Sequence, residues 1–268
     1  MDTQGVHPAI GISSWSFNKM LFAKQMDLFQ VFAAVRGLGV RKVELNNHFF
    51  ASQEEAYLGA LKDAADRYGV RVVNLAVDDK GFDLSSPDEA QRKEAVARTV
   101  RWIETAARLD CPFVRNNSGG QDAAACARSF SELAAEARER GRRIAIEAHG
   151  GFSSDAAQLL PILAAVRERE PQGVALIPDF GNVRITPERD RYAQIEAMAP
   201  FAALCHPKMH DFDAFGEQPE WDTQRLVSIV ARAGFRGPWI VEFEGQEEAF
   251  EGLRKSLVLL SRCLRKAA

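Results

Sequence analysis

Ten residues, LCHPKMHDFD at 204–213, hold two of the chain's five histidines together with a lysine and two aspartates. They overlap the apolar run Phe201–Cys205, where charged side chains are costly to bury unless something pairs with them. Three other apolar runs lead into a carboxylate: RIAIEA (143–148) carries Glu147, GVALIPD (173–179) ends on Asp179, and PWIVEFE (238–244) carries Glu242. Three carboxylates and the His206 imidazole brought to one place would repel unless a cation lay among them. Hard oxygen donors plus one nitrogen suit Mn2+, Mg2+, Co2+ or Zn2+. Each residue alone reads equally well as a strand-end group bonded to a loop amide. The four together point to a divalent metal.

The elements that must position them are legible as eight short apolar runs: AIGISSW (9–15), RKVELN (41–46), RVVNLAV (71–77), PFVRN (112–116), the three above, and FAALCH (201–206). Stretches of helical periodicity lie between them, and several end in a glycine before the next run, at Gly39, Gly69, Gly141 and Gly234, where a left-handed helix terminus is expected. Strand and helix alternate eight times without a Pro/Gly/Ser-rich linker, so residues 1–268 read as one domain. Regular βα alternation with nearly continuous apolar strands means a parallel sheet covered by helices. Eight such units predict an α/β fold, a single (β/α)8 TIM barrel. An open dinucleotide-binding sheet would show GxGxxG after its first strand, and ISSWSFN does not.

Composition narrows the function classes. Hydrophobic residues make up 46%, charged residues 26%, and the net charge is −3, an ordinary soluble composition unlike that of a basic nucleic-acid binder. The four cysteines show no CxxC pairing, so a reducing, cytoplasmic setting is expected. The N-terminus has no signal-peptide pattern, and no apolar run reaches the ~18 residues of a membrane span.

Active sites in such barrels form at the C-terminal ends of the strands, so the other polar residues there are candidate substrate contacts: Trp15, Glu44, Arg115, His149, Lys208 and His210. Glu244 shares a strand face with Glu242 and reads as a partner for a cation such as Lys208. A Schiff-base role for Lys208 is disfavoured by carboxylates that keep it charged. Pro207 lacks an amide donor, so the seventh ladder is expected to stop there. The run Arg138–Arg143 reads as a solvated helix end, and Phe22, Phe29 and Phe32 read as core at helical spacing.

IEAHGGFSSD, IPDFGN, CHPKMHDFD and IVEFEG, in this order and with VELNNHFF upstream, resemble the xylose-isomerase-like barrel superfamily, and within it the sugar phosphate isomerase/epimerase branch. The resemblance implies a divalent metal, usually Mn2+, held by Glu147, Asp179, His206 and Glu242. It further implies proton shuttling by the two glutamates, substrate contact by Asn182, and a barrel type that often forms homo-oligomers. Ala148 stands where relatives often carry asparagine, and no arginine follows the seventh-strand motif, which argues against ketohexose epimerisation specifically.

A metal that binds adjacent carbonyl and hydroxyl oxygens of a sugar acidifies the neighbouring C–H and stabilises an enediolate. Carboxylates on either face can remove and return that proton, giving an isomerase or epimerase of a sugar, sugar phosphate or keto-polyol. His149, Lys208 and Arg115 would orient hydroxyls or a phosphate. A lyase on the same scaffold shares this intermediate, with keto-inositol or dehydroshikimate dehydration or 3-keto-glycoside cleavage as its forms. A non-catalytic sugar-binding barrel is the reading outside enzymes. Phosphodiester cleavage by a multi-metal cluster is disfavoured by the small number of histidines and the acidic balance.

Overall fold

Seven of the eight apolar runs become parallel strands, and the remaining strand lies just beyond the run 201–206. A computed structural model describes residues 5–79 and 81–267. β1 (Ile10–Ser13), β2 (Lys42–Asn46), β3 (Arg71–Val77), β4 (Phe113–Asn116), β5 (Arg143–Glu147), β6 (Val174–Ile177), β7 (Lys208–Met209) and β8 (Trp239–Phe243) form one curled sheet in the order β6-β5-β4-β3-β2-β1-β8-β7. Among the described residues the helices are α1 (Asn18–Phe22), α2 (Leu28–Gly37), α3 (Glu55–Tyr68), α4 (Glu89–Arg108), α5 (Ala123–Glu139), α6 (Ala156–Arg167), α7 (Arg191–Met198), α8 (Thr223–Arg232) and α9 (Ala249–Ala267). Gly39, Gly69, Gly141 and Gly234 all have positive φ, as the helix ends require.

The two sides of the sheet meet through residues 202–206. Ala203 N donates to Leu176 O at 3.0 Å and His206 N to Pro178 O at 2.9 Å, while Ile240 N donates to Cys205 O at 2.8 Å. An eight-stranded parallel sheet curled in this way and flanked by helices is consistent with a TIM barrel. The seventh strand departs from expectation. Residues 199–201 are a 3-10 turn, 202–206 pair only through isolated bridges, and the regular strand lies beyond Pro207, where Lys208 and Met209 pair with Glu242 and Phe243. Pro207 interrupts the ladder, having no amide to give, and does not end it.

Two apolar clusters result. The large one unites the helices with the outer face of the sheet. The small one comprises Val73, Ala145, Ala175, Ile177, Leu204 and Ile240. Side chains two apart on a strand share a face. Ala145, Ile177, Leu204 and Ile240 therefore place Glu147, Asp179, His206 and Glu242 on the same inner face, one step nearer the C-terminal end.

Phe22 is not core. The helical pattern of residues 23–39 breaks at Lys24, with φ 56°, and restarts where Asp27 and Gln30 form a reciprocal capping box for α2. Phe22 is left exposed, its ring 5.9 Å from that of Trp15 and 5.1 Å from that of Phe49.

The loops after β4 and β5 clasp each other above the sheet. Phe152 N donates to Gly119 O and Ser153 N to Ser118 Oγ, both at 2.9 Å. A Cβ on Gly151, which has φ 51°, would lie 1.9 Å from Gly119 O. Gly151→Ala should therefore cost on the order of 2 kcal/mol. Urea denaturation measures it, and an unchanged midpoint would contradict the clasp.

Candidate metal centre

Glu147 ends β5, Asp179 follows β6, His206 precedes β7 and Glu242 lies in β8. All four are buried, and one ligand atom from each lies within 4.8 Å of the others. The sequence-derived quartet is thus brought together. Asp179 is aimed by the backbone: its Oδ1 accepts from Gly181 N at 2.7 Å and Asn182 N at 2.8 Å. Its Oδ2 is buried without a hydrogen-bond partner. A carboxylate fixed through one oxygen, with the other aimed into the cluster, is an oriented ligand.

Glu44 orients the histidine. Residues Ser13, Glu44 and Asn74 stand opposite one another on β1, β2 and β3. Ser13 Oγ donates to Glu44 at 2.8 Å and Asn74 Nδ2 at 2.7 Å. The remaining reach of the buried carboxylate goes to His206 Nε2, 2.9 Å away. An ionised carboxylate only accepts, so Nε2 carries a proton and Nδ1 faces Glu147 at 3.1 Å and Asp179 at 3.9 Å.

Two cations border the cluster. Arg115 contacts Asp78 and Glu147, and Lys208 lies 2.9 Å from Glu242, 3.0 Å from Glu244 and 4.0 Å from Asp179. Gly181 makes room for the lysine, since a Cβ there would lie 2.7 Å from Lys208 Cδ. These cations do not balance the carboxylates. Burial pushes Asp179 up to about 7 against the pull of Lys208, with Glu147 and Glu242 pushing further. Burial likewise raises Glu242 although Lys208 opposes it. Burial also acts on Glu147, but Arg115 and His206 outweigh it and hold this carboxyl well below the usual range. His206 resists its own burial because Glu44 and Glu147 hold its proton. A divalent cation fits this donor set: oriented oxygens, one imidazole nitrogen, and a shortage of positive charge.

A cavity of about 700 Å³ opens beside the cluster, with Trp15, Arg115, His149, Lys208, Glu242 and Glu244 in its wall. Trp15 Nε1 donates to Glu244 Oε1, and Lys208 pairs with Glu244 as its strand position suggested. Three residues expected at the substrate lie elsewhere. Glu44 sits buried behind His206. Asn182 does not line the cavity and contributes its backbone to Asp179. His210 turns to Glu220, with Nδ1 2.6 Å from Oε1, and packs on Trp221. Conversely, Asp78, a polar residue closing the third run that was not among the expected substrate contacts, lines the cavity and accepts from Asn46 and Asn117 as well as Arg115. Its only sequence signal is a position one residue past β3.

Cation binding must displace protons from Asp179 and His206. A raised carboxyl is protonated below its pKa, so Mn2+ affinity should rise as pH increases through about 7, with protons released on binding. Calorimetry in two buffers of different ionisation heat measures both, and a pH-independent affinity would contradict the assignment. Glu44→Gln should keep the fold and weaken Mn2+ binding by about 10–100-fold, the usual effect of losing an orienting partner.

The xylose isomerase-like TIM barrel family model matches residues 32–263. No curated protein matches the chain in sequence. Among solved structures, a xylose isomerase domain protein from Planctomyces limnophilus is 15% identical with a TM-score of 0.75, covering 98% of this chain and 99% of that one. A D-psicose 3-epimerase solved in the presence of D-fructose is 18% identical, with a TM-score of 0.74 and coverage of 95% and 98%. An L-ribulose 3-epimerase is 16% identical, with a TM-score of 0.77 and coverage of 96% and 95%. At these identities the likeness is one of fold. The matched segment contains seven of the eight strands and the whole quartet, and the chain belongs to the xylose isomerase-like TIM barrel family.

Proposed function

We propose that this protein is a divalent-metal-dependent isomerase or epimerase of a small sugar-like substrate, with Glu147, Asp179, His206 and Glu242 as metal ligands. The observation that carries the reading is the buried quartet beside a cavity whose wall includes one of its own members, Glu242. Family membership and the epimerases among its structural neighbours support it. A cation held there supplies Lewis-acid polarisation of a sugar carbonyl and its neighbouring hydroxyl.

The chain's own groups divide the remaining work. Glu242 is the quartet member that lines the cavity. Glu147, at the end of β5, is held by Arg115 and His206. Their environments push them in opposite directions, Glu147 toward the ionised form and Glu242 toward the protonated form. The two glutamates, reaching the cluster from β5 and β8, are assigned to take up and return the substrate proton. Lys208 and His149 reach the cavity from β7 and the loop after β5 and position substrate oxygens. Trp15 supplies an apolar face.

Transfer of solvent deuterium into a sugar C–H, followed by mass spectrometry, tests the reading. Glu147→Gln and Glu242→Gln should each retain the circular dichroism spectrum and lower exchange at least 100-fold, the range of a lost general acid or base. Full exchange in both variants would overturn the assignment.

A further inference from the structure

The cavity wall is acidic, and its charge selects among sugar-like molecules. Five carboxylates line it, Asp78, Asp79, Asp83, Glu242 and Glu244, against two cations, Arg115 and Lys208. Both cations are already engaged, Arg115 by Asp78 and Glu147, and Lys208 by Glu242 and Glu244. Lys80 follows Asp79 in the sequence and lies outside the described residues, to which this count is confined.

Barrel enzymes that bind phosphate commonly use helix N-termini on this face, where free backbone N–H groups meet the anion. Here the helix starts after β3 to β8 each carry a capping carboxylate. The helices after β3 to β7 begin on Asp88, Asp122, Asp155, Asp190 and Asp222, and each carboxylate accepts from a first-turn amide. In α9 Glu248 accepts from Phe250 N at 3.0 Å and Glu251 N at 3.2 Å. Each cap takes one or two of these donors and adds a negative charge where an anion would otherwise be stabilised.

We infer that the substrate is an uncharged, hydroxyl-rich sugar or polyol, and that phosphate esters and sugar acids are excluded. The inference rests on the proposed isomerase or epimerase reading and narrows it. Hydroxyl groups donate to carboxylates, whereas the ionised phosphate or carboxylate group of an ester or acid brings only further acceptors and like charge to a wall already rich in them. Trp15 and Phe82 add apolar surface to the same wall, suited to the C–H face of a neutral ring or chain.

Binding of matched pairs to the purified protein tests this, with and without added Mn2+. The probes are pentoses, hexoses and inositols, each beside its phosphate ester, titrated at low ionic strength. The neutral member should bind at least tenfold more tightly in each pair that binds. The margin should shrink with added salt and in the Asp79→Asn/Asp83→Asn double variant. Equal or tighter binding of the phosphate esters overturns the inference, as does failure of every neutral probe to bind. Neutral binding without any C–H exchange would uphold this inference while contradicting the isomerase or epimerase reading, so the two fail separately.

Discussion

Burial of carboxylates is the constraint around which this structure is arranged. Glu44, Glu147, Asp179 and Glu242 lie in one interior with the His206 imidazole, and removing such groups from water costs several kcal/mol each unless charge and hydrogen bonds compensate. Ser13 and Asn74 satisfy Glu44, two backbone amides satisfy half of Asp179, and Arg115 and Lys208 supply charge. A deficit remains, which shows as the elevation of Asp179 to about 7 by burial and by its neighbours Glu147 and Glu242. The proposed cation closes that deficit without asking any residue to move to another strand.

The fold delivers the site through a two-residue period. The apolar cluster of Val73, Ala145, Ala175, Ile177, Leu204 and Ile240 fills the interior, and the quartet stands one step above it, on β5 and β8, just after β6 and just before β7. The same period puts Glu44 in register with Ser13 and Asn74, below the cavity and behind the histidine. Orientation of His206 is therefore set by β1, β2 and β3, on which no ligand lies. The acidic helix caps extend the same economy to the rim, where they stabilise each helix start and shape the charge seen by an entering molecule.

Much of this was legible in the sequence. Apolar runs ending in a carboxylate or histidine marked the quartet, and terminal glycines marked the helix ends. The seventh strand was less legible because Pro207 splits its ladder, leaving the regular part among polar residues. Strand position identified Glu44 as a polar strand-end residue but did not give its depth, so it read as a substrate contact when its reach is spent on His206. Asn182 and His210 were expected to face the substrate for their place after a ligand; the turn at Gly181 and the pull of Glu220 settle them elsewhere. Asp78 closes the third apolar run but was not among the expected substrate contacts, because its three partners on β2, on β4 and in the loop after β4 form a set that no local pattern reveals. The exposure of Phe22 followed from a break at Lys24 that helical periodicity does not register.

The central claim, that the quartet holds a divalent cation, is most directly tested by elemental analysis of the tag-free protein before and after chelation, beside the His206→Ala variant. The account predicts about one manganese, cobalt, zinc or magnesium ion per chain, removed by chelation, restored on reloading and lost in the variant. A folded protein that takes up no divalent metal at any loading would contradict it, and the quartet would then be a hydrogen-bonded cluster held by Arg115 and Lys208 alone.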